Sequence, residues 1–244
     1  MDLTTDIPTA SATIDAAGAA LTGAGRAGPD ADVAACPGWT VLTLMKHVAL
    51  VHAWVAGTLR KGGADPAEFG HAPAGMSTAG LAGWADEQRA ALLAALSETD
   101  PERPTWFFGV VGPARLWWRR QVHETVVHAW DATTALGDPW PIPSDIAADG
   151  VDELLGWVLP RRWSGHPPEW GSGRSIHFHR TDGEGEWLLT LGAEPTLDHG
   201  HAKGDLAVRG PAPELLLWAA NRPATVELFG DTDLAAAWAT HVAF

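Results

Sequence analysis

The chain has 244 residues, 46% of them apolar and 19% charged, which describes a globular protein long enough to bury one large core or two smaller ones. A formal net charge of −14 argues against a nucleic-acid partner, which requires a basic face, and against an anionic membrane surface. No uninterrupted apolar run approaches the roughly 20 residues that span a bilayer, the N-terminus lacks a secretory signal's basic start, and one cysteine cannot form an internal disulfide; the expectation is a soluble cytoplasmic protein.

The first half reads as helical. A first helix is expected near Thr5 to Gly25, and the glycines of "GRAGPDADVAACPGW" end it. Cys36, beside "PGW", could be a reactive thiol, but the commoner reading, a small buried residue, is the expectation. Thr40 is a plausible N-cap for a second helix, "VLTLMKHVALVHAWVAGTLR". Its histidines, His47 and His52, are five residues apart and so lie on different faces. His52 falls in the middle of the stripe of Val41, Met45, Val48 and Val55, and His47 at its edge, so periodicity nominates His52 as the inward one. Arg60 to Met76 reads as a loop, Ser77 caps a third helix, and a fourth begins after Pro113. Four helices with short to moderate connections predict an antiparallel bundle, whose facing helices can build a site.

The fourth helix carries "RRQVHETVVHAWDA". A zinc-protease helix sets its histidines four residues apart, whereas His123 and His128 are five apart and diverge by about 140°. Glu124 and His128 differ by only about 40°, and Asp131 returns to within about 20° of Glu124. These three form one polar stripe, and His123 is off it. The stripe has two readings: a solvated face with an i,i+4 pair, or half of a metal site that needs a third ligand from elsewhere. Imidazole and carboxylate suit zinc and other first-row divalent ions.

After "LGDPWPIPSD" the texture changes, and the boundary is expected there, giving domains 1–143 and 144–244. A helix, "DIAADGVDELLGWVL", precedes a hairpin made by "SIHFHRT" and "EWLLTLG" around "DGEG". "DLAVRG" and "ATVELFG" read as further strands, with helical "PAPELLLWAAN" between them and "DLAAAWATHV" at the end. The fold class is therefore α+β in two domains: a helical bundle, then a small α+β domain. His177 and His179 alternate on a strand and share a face; with His199 and His201 near in sequence they suggest a second metal site, but the commoner reading, an exposed sheet face, is the expectation. The glycine-containing turns lack the flanks of a phosphate loop.

"CPGWTVLTLMKHVALVHAW" followed by "WWRRQVHETVVHAWDA" resembles the mycothiol-dependent maleylpyruvate isomerase family, whose N-terminal domain is a DinB-like four-helix bundle. "HRTDGEGEWLLTL" and "LAVRGPAPELLLWAANRPATVELFGD" resemble that family's C-terminal α+β domain. The resemblance implies metal ligands at His47, Glu124 and His128, choosing His47 over His52 against the simple angular reading. It implies a divalent metal, zinc first among the candidates, and mycothiol as a thiol cosubstrate that adds to the cis double bond of a small electrophile. Asp131 is then a fourth ligand or the group that orients His128. A di-acid substrate needs cationic clamps, for which Arg120, one turn before Glu124, and Arg222 in "WAANRPA" are the candidates. Three functions follow: a thiol-dependent isomerase or S-transferase, a metal-activated-water hydrolase, and a non-catalytic metal or small-molecule binding protein.

Overall fold

Helix starts in the first half are written into single side chains. In the computed structural model, which describes residues 3, 6–62, 70–164, 166 and 168–242, Asp6 accepts from the Thr9 N–H to open α1 (Ile7–Ala27). Thr40 accepts from Thr43 N–H at the start of α2 (Val41–Lys61), and Ser77 from Gly80 N–H at the start of α3 (Thr78–Glu98). Thr5, and residues 63–69 of the expected loop, lie outside the described residues.

The fourth helix, α4 (Arg115–Thr134), has no side-chain cap. A hairpin positions it instead: β1 (Pro104–Phe107) pairs antiparallel with β2 (Val110–Pro113), and the Ala114 and Arg115 N–H groups donate back to the Arg103 and Pro101 carbonyls. Sequence reasoning missed this hairpin, whose strands have four residues each. Its two-residue turn takes Phe108 and Gly109 to φ 48° and 91°, the twist that joins antiparallel strands tightly. The Phe108 ring packs within 6 Å of Trp54, Trp106 and Trp117, contacts that offset the strained backbone.

Helix α1 packs on α3 and α4, and α2 packs on the same two helices. The seam between α2 and α4 is looser than that between α2 and α3. By length and composition α2 could cross a membrane, the one such helix among the described residues; its buried Leu44, Met45, Val48 and Val55 are core positions of the bundle.

The chain divides into two units between Pro141 and Ile142. The second begins with α5 (Ser144–Glu153), which runs through a π-helical turn (Leu154–Val158) into α6 (Leu159–Arg162). A five-stranded sheet follows in the order β5-β4-β3-β6-β7, with β3 (Ser175–Arg180), β4 (Glu186–Thr190), β5 (Thr196–His199), β6 (Leu206–Gly210) and β7 (Glu227–Gly230). The expected β3–β4 hairpin is present, β3 and β6 run parallel, and β5 was not foreseen. Helix α7 (Ala212–Ala219) links β6 to β7, and α8 (Thr232–His241) ends the described chain. Trp163 and Trp238 with Phe178 fill this unit's core, and half-buried Trp218 stacks on Trp238, so several of the fourteen tryptophans serve as packing volume. The helical first unit and mixed second unit make the α+β class observed.

Candidate metal centre

Helix α4 sets Glu124, His128 and Asp131 on one side, as the 3.6-residue repeat requires, and that side meets α2. It is not a solvated face: the side chains of Glu124, His128 and Asp131 are 14%, 15% and 0% exposed. Across the seam, His47 Nε2 lies 3.4 Å from Glu124 Oε1, and His128 Nε2 lies 3.5 Å from the same oxygen. The two imidazoles stand edge to face, centroids 5.7 Å apart. One donor atom from each of His47, Glu124 and His128 falls within 4.8 Å of the others.

Two further residues of α4 fix these atoms. Asp131 Oδ2 is 3.1 Å from His128 Nδ1, and a carboxylate only accepts, so Nδ1 carries a hydrogen and Nε2 is turned toward Glu124. Arg120, four residues before Glu124, pairs with Oε2 and leaves Oε1 facing the histidines. Burial pushes the Glu124 carboxyl up, but the Arg120 charge and the hydrogen bonds to His128 and His47 outweigh it and hold the group well below the usual carboxylate range. Burial pushes the His128 imidazole down; hydrogen bonds and charge from Asp131 and Glu124 override this and raise it to about 9.

A turn closes over the site. Pro37 and Gly38 occupy its corner, with Gly38 at φ 82° and the Trp39 N–H donating to the Cys36 carbonyl, a type II turn for which Pro and Gly are the fitting pair. The turn sets the Trp39 ring against His47, centroids 5.1 Å apart. It also brings the Cys36 sulfur within 4.8 Å of donor atoms of His128 and Asp131. Cys36 is at least half-buried, and its sulfur stands beside the metal-ligand candidates, a placement that sequence reasoning did not specify. The signal available was the Pro-Gly pair directly after it, which folds the chain back there.

The other predicted residues fall elsewhere. His52 is buried as periodicity indicates, but its Nε2 is 3.0 Å from Thr125 Oγ1 in the bundle core, and burial lowers its imidazole to about 4. His123 is buried off the polar stripe. Arg222 is buried within the second unit, where it donates to the Ala220 carbonyl.

The donor set can be tested against a metal's needs. Zinc bonds of about 2.0–2.1 Å in a tetrahedral site put neighbouring ligand atoms about 3.4 Å apart. The separations of 3.4 and 3.5 Å from Glu124 Oε1 to the two histidines match that spacing. Two imidazoles and one carboxylate also leave one tetrahedral position for water or substrate. The residues fit a divalent cation.

Comparison with known proteins agrees with this architecture. The family model described as the mycothiol maleylpyruvate isomerase N-terminal domain matches residues 9–133, and that described as the MDMPI C-terminal domain matches residues 145–237. A crystal structure of the mycothiol-dependent maleylpyruvate isomerase is similar with a TM-score of 0.66 at 17% identity, covering 93% of this chain and 95% of that one. A crystal structure of a histidine-to-alanine mutant of that enzyme is similar with a TM-score of 0.64 at the same identity and coverage. Among curated proteins none matches.

Proposed function

The chain belongs to the mycothiol maleylpyruvate isomerase family, and on that premise we propose that it is a divalent-metal-dependent enzyme that uses a low-molecular-weight thiol, mycothiol in the first instance, as isomerase or S-transferase on an electrophilic small molecule. The observation that carries the reading is the convergence of His47, Glu124 and His128, with donor atoms within 4.8 Å of one another and both histidines at tetrahedral spacing from Glu124. In this reading those three hold the cation. The chemistry supplied by a divalent cation there is stabilisation of a thiolate, the nucleophilic form, at neutral pH.

The protein's own groups set up the rest. Asp131 holds the His128 ring by its Nδ1 hydrogen, and Arg120 anchors Glu124 by Oε2, so both ligands are oriented before anything binds. Trp39 packs against His47 and fixes the third. For a cis-unsaturated di-acid, the thiolate sulfur bonds to one alkene carbon while the π pair moves onto the conjugated carbonyl oxygen. Rotation about the new single bond and expulsion of the thiolate then return the alkene in its trans form. If the adduct is protonated and released instead, the same site is an S-transferase. Arg120, beside Glu124, is the group assigned to a substrate carboxylate.

The test compares wild type with a His47→Ala, Glu124→Ala, His128→Ala variant shown by circular dichroism to be folded. About one equivalent of cation lost with those ligands, together with thiol-dependent turnover that disappears in the variant, supports the reading. Turnover with the cation but independent of thiol would replace it by a hydrolase, and no turnover with both present would leave a binding protein.

A further inference from the structure

Within the second unit, the face of β3 expected to be exposed is not. His177 is buried, because the chain that leaves β5 crosses directly above it. Gly204 marks the crossing: a Cβ there would stand 2.8 Å from the His177 backbone nitrogen and 3.1 Å from its Cβ, so only glycine lets the segment come so close to β3. The same crossing segment brings His201 over the sheet, its ring centroid 5.5 Å from that of His177.

His179, two residues along β3, shares the face of His177, and Glu186 of β4 is its direct cross-strand partner. Three imidazoles therefore surround one carboxylate. His177 Nε2 is 3.2 Å and His201 Nδ1 2.8 Å from Glu186 Oε2, and His179 Nδ1 is 3.0 Å from Oε1. All four donor atoms lie within 4.8 Å of one another. His199, the fourth histidine of the region, is directed away and pairs with Asp152 at 2.5 Å.

We propose that His177, His179, Glu186 and His201 form a second divalent-metal site, separate from the bundle centre, that takes a first-row ion such as Zn²⁺. Four donor atoms within 4.8 Å need only side-chain adjustment to reach the roughly 3.4 Å spacing of tetrahedral zinc. Three neutral imidazoles and one carboxylate are ligands such ions accept, and the single negative charge leaves the occupied site with one net positive charge. Four protein ligands fill the shell, so the site is structural: it ties the crossing segment to β3 and β4. His201, with its side chain 81% exposed, gives the ion its way in.

The experiment uses the full chain with His47→Ala, Glu124→Ala and His128→Ala in place, so that the bundle centre is silenced, and titrates it with Zn²⁺ by calorimetry. The proposal expects near one equivalent bound, a higher Tm with Zn²⁺, and an affinity at least about tenfold weaker after His201→Ala, with Glu186→Gln weakening it as well. Since His201 is exposed, its removal leaves the sheet's packing intact and the test does not depend on a fragile variant. A folded, silenced protein that binds no Zn²⁺, or one whose binding His201→Ala and Glu186→Gln leave unchanged, overturns the site. The two centres fail separately: equal binding by wild type and the silenced chain removes the bundle reading alone, and binding by wild type only removes this one.

Discussion

His128 Nδ1 sits 3.1 Å from the fully buried carboxylate of Asp131, one helical turn on, and this contact directs the opposite nitrogen of the ring at Glu124. The pair is thus an orienting device within a single helix. Removing the carboxylate frees the ring without touching the three donor atoms. Asp131→Asn is expected to lower cation affinity about 10- to 100-fold with the helix intact, read by competition against a chelator. An unchanged affinity would leave Asp131 with a purely structural role.

Cation uptake should release a proton. The metal-free His128 imidazole titrates at about 9, so at pH 7 it is protonated and a cation must displace that proton. Apparent affinity is expected to rise roughly tenfold per pH unit as pH increases toward 9, then level off. Calorimetry at pH 7 in two buffers of different ionisation enthalpy should give close to one proton released per ion at the bundle site. In the metal-free protein the sign is opposite: the raised folded value contributes stability that is full below the unfolded value of 6.5 and lost as pH rises through 9.

His52 should destabilise the protein in mild acid. Its folded value is about 4, so between pH 6.5 and 4 the unfolded chain takes up a proton that the native core refuses. Stability falls as pH drops through that window, by up to roughly 3 kcal/mol from this group. Urea denaturation of metal-free protein at pH 7 and pH 4.5 measures the loss, and His52→Gln, which keeps a partner for Thr125, should remove that share of it.

Gly38→Ala isolates the turn over the site. Nothing lies within 4 Å of a Cβ there, so the cost is the positive φ of 82° alone, about 1–2 kcal/mol by denaturant titration. Because the turn also seats Trp39 on His47, the same variant should bind the bundle-site cation more weakly.

Arg120→Lys keeps the charge and loses the fork. The paired Glu124 then has one point contact, and kcat/KM for a di-acid is expected to fall by about tenfold or more, while a mono-acid analogue is less affected. Equal losses on both substrates would assign Arg120 to Glu124 alone.

Local chemistry made much of this legible. Thr40 and Ser77 cap where their residue types suggest, and the stripe of Glu124, His128 and Asp131 follows from helical spacing. Periodicity also identifies His52 as buried, because burial on one's own helix is what it measures. It cannot see that an edge position such as His47 faces a neighbouring helix; family resemblance pointed there instead. What escaped was set by chain crossings. Cys36 reaches His128 through a turn, and His177 is covered by a segment more than twenty residues further on. The four-residue strands β1, β2 and β5 carry too few residues to show alternation; the equally short β7 is legible from the longer run "ATVELFG" that contains it.

The seam that holds His47 against Glu124 joins helices separated in the chain by α3 and a hairpin; on the same pair of helices, His52 and Thr125 meet across 73 residues. The bundle donor set therefore does not exist until that long loop has closed. A cation that needs this closure binds the finished bundle, so it is expected to slow unfolding, as a latch on the closed seam.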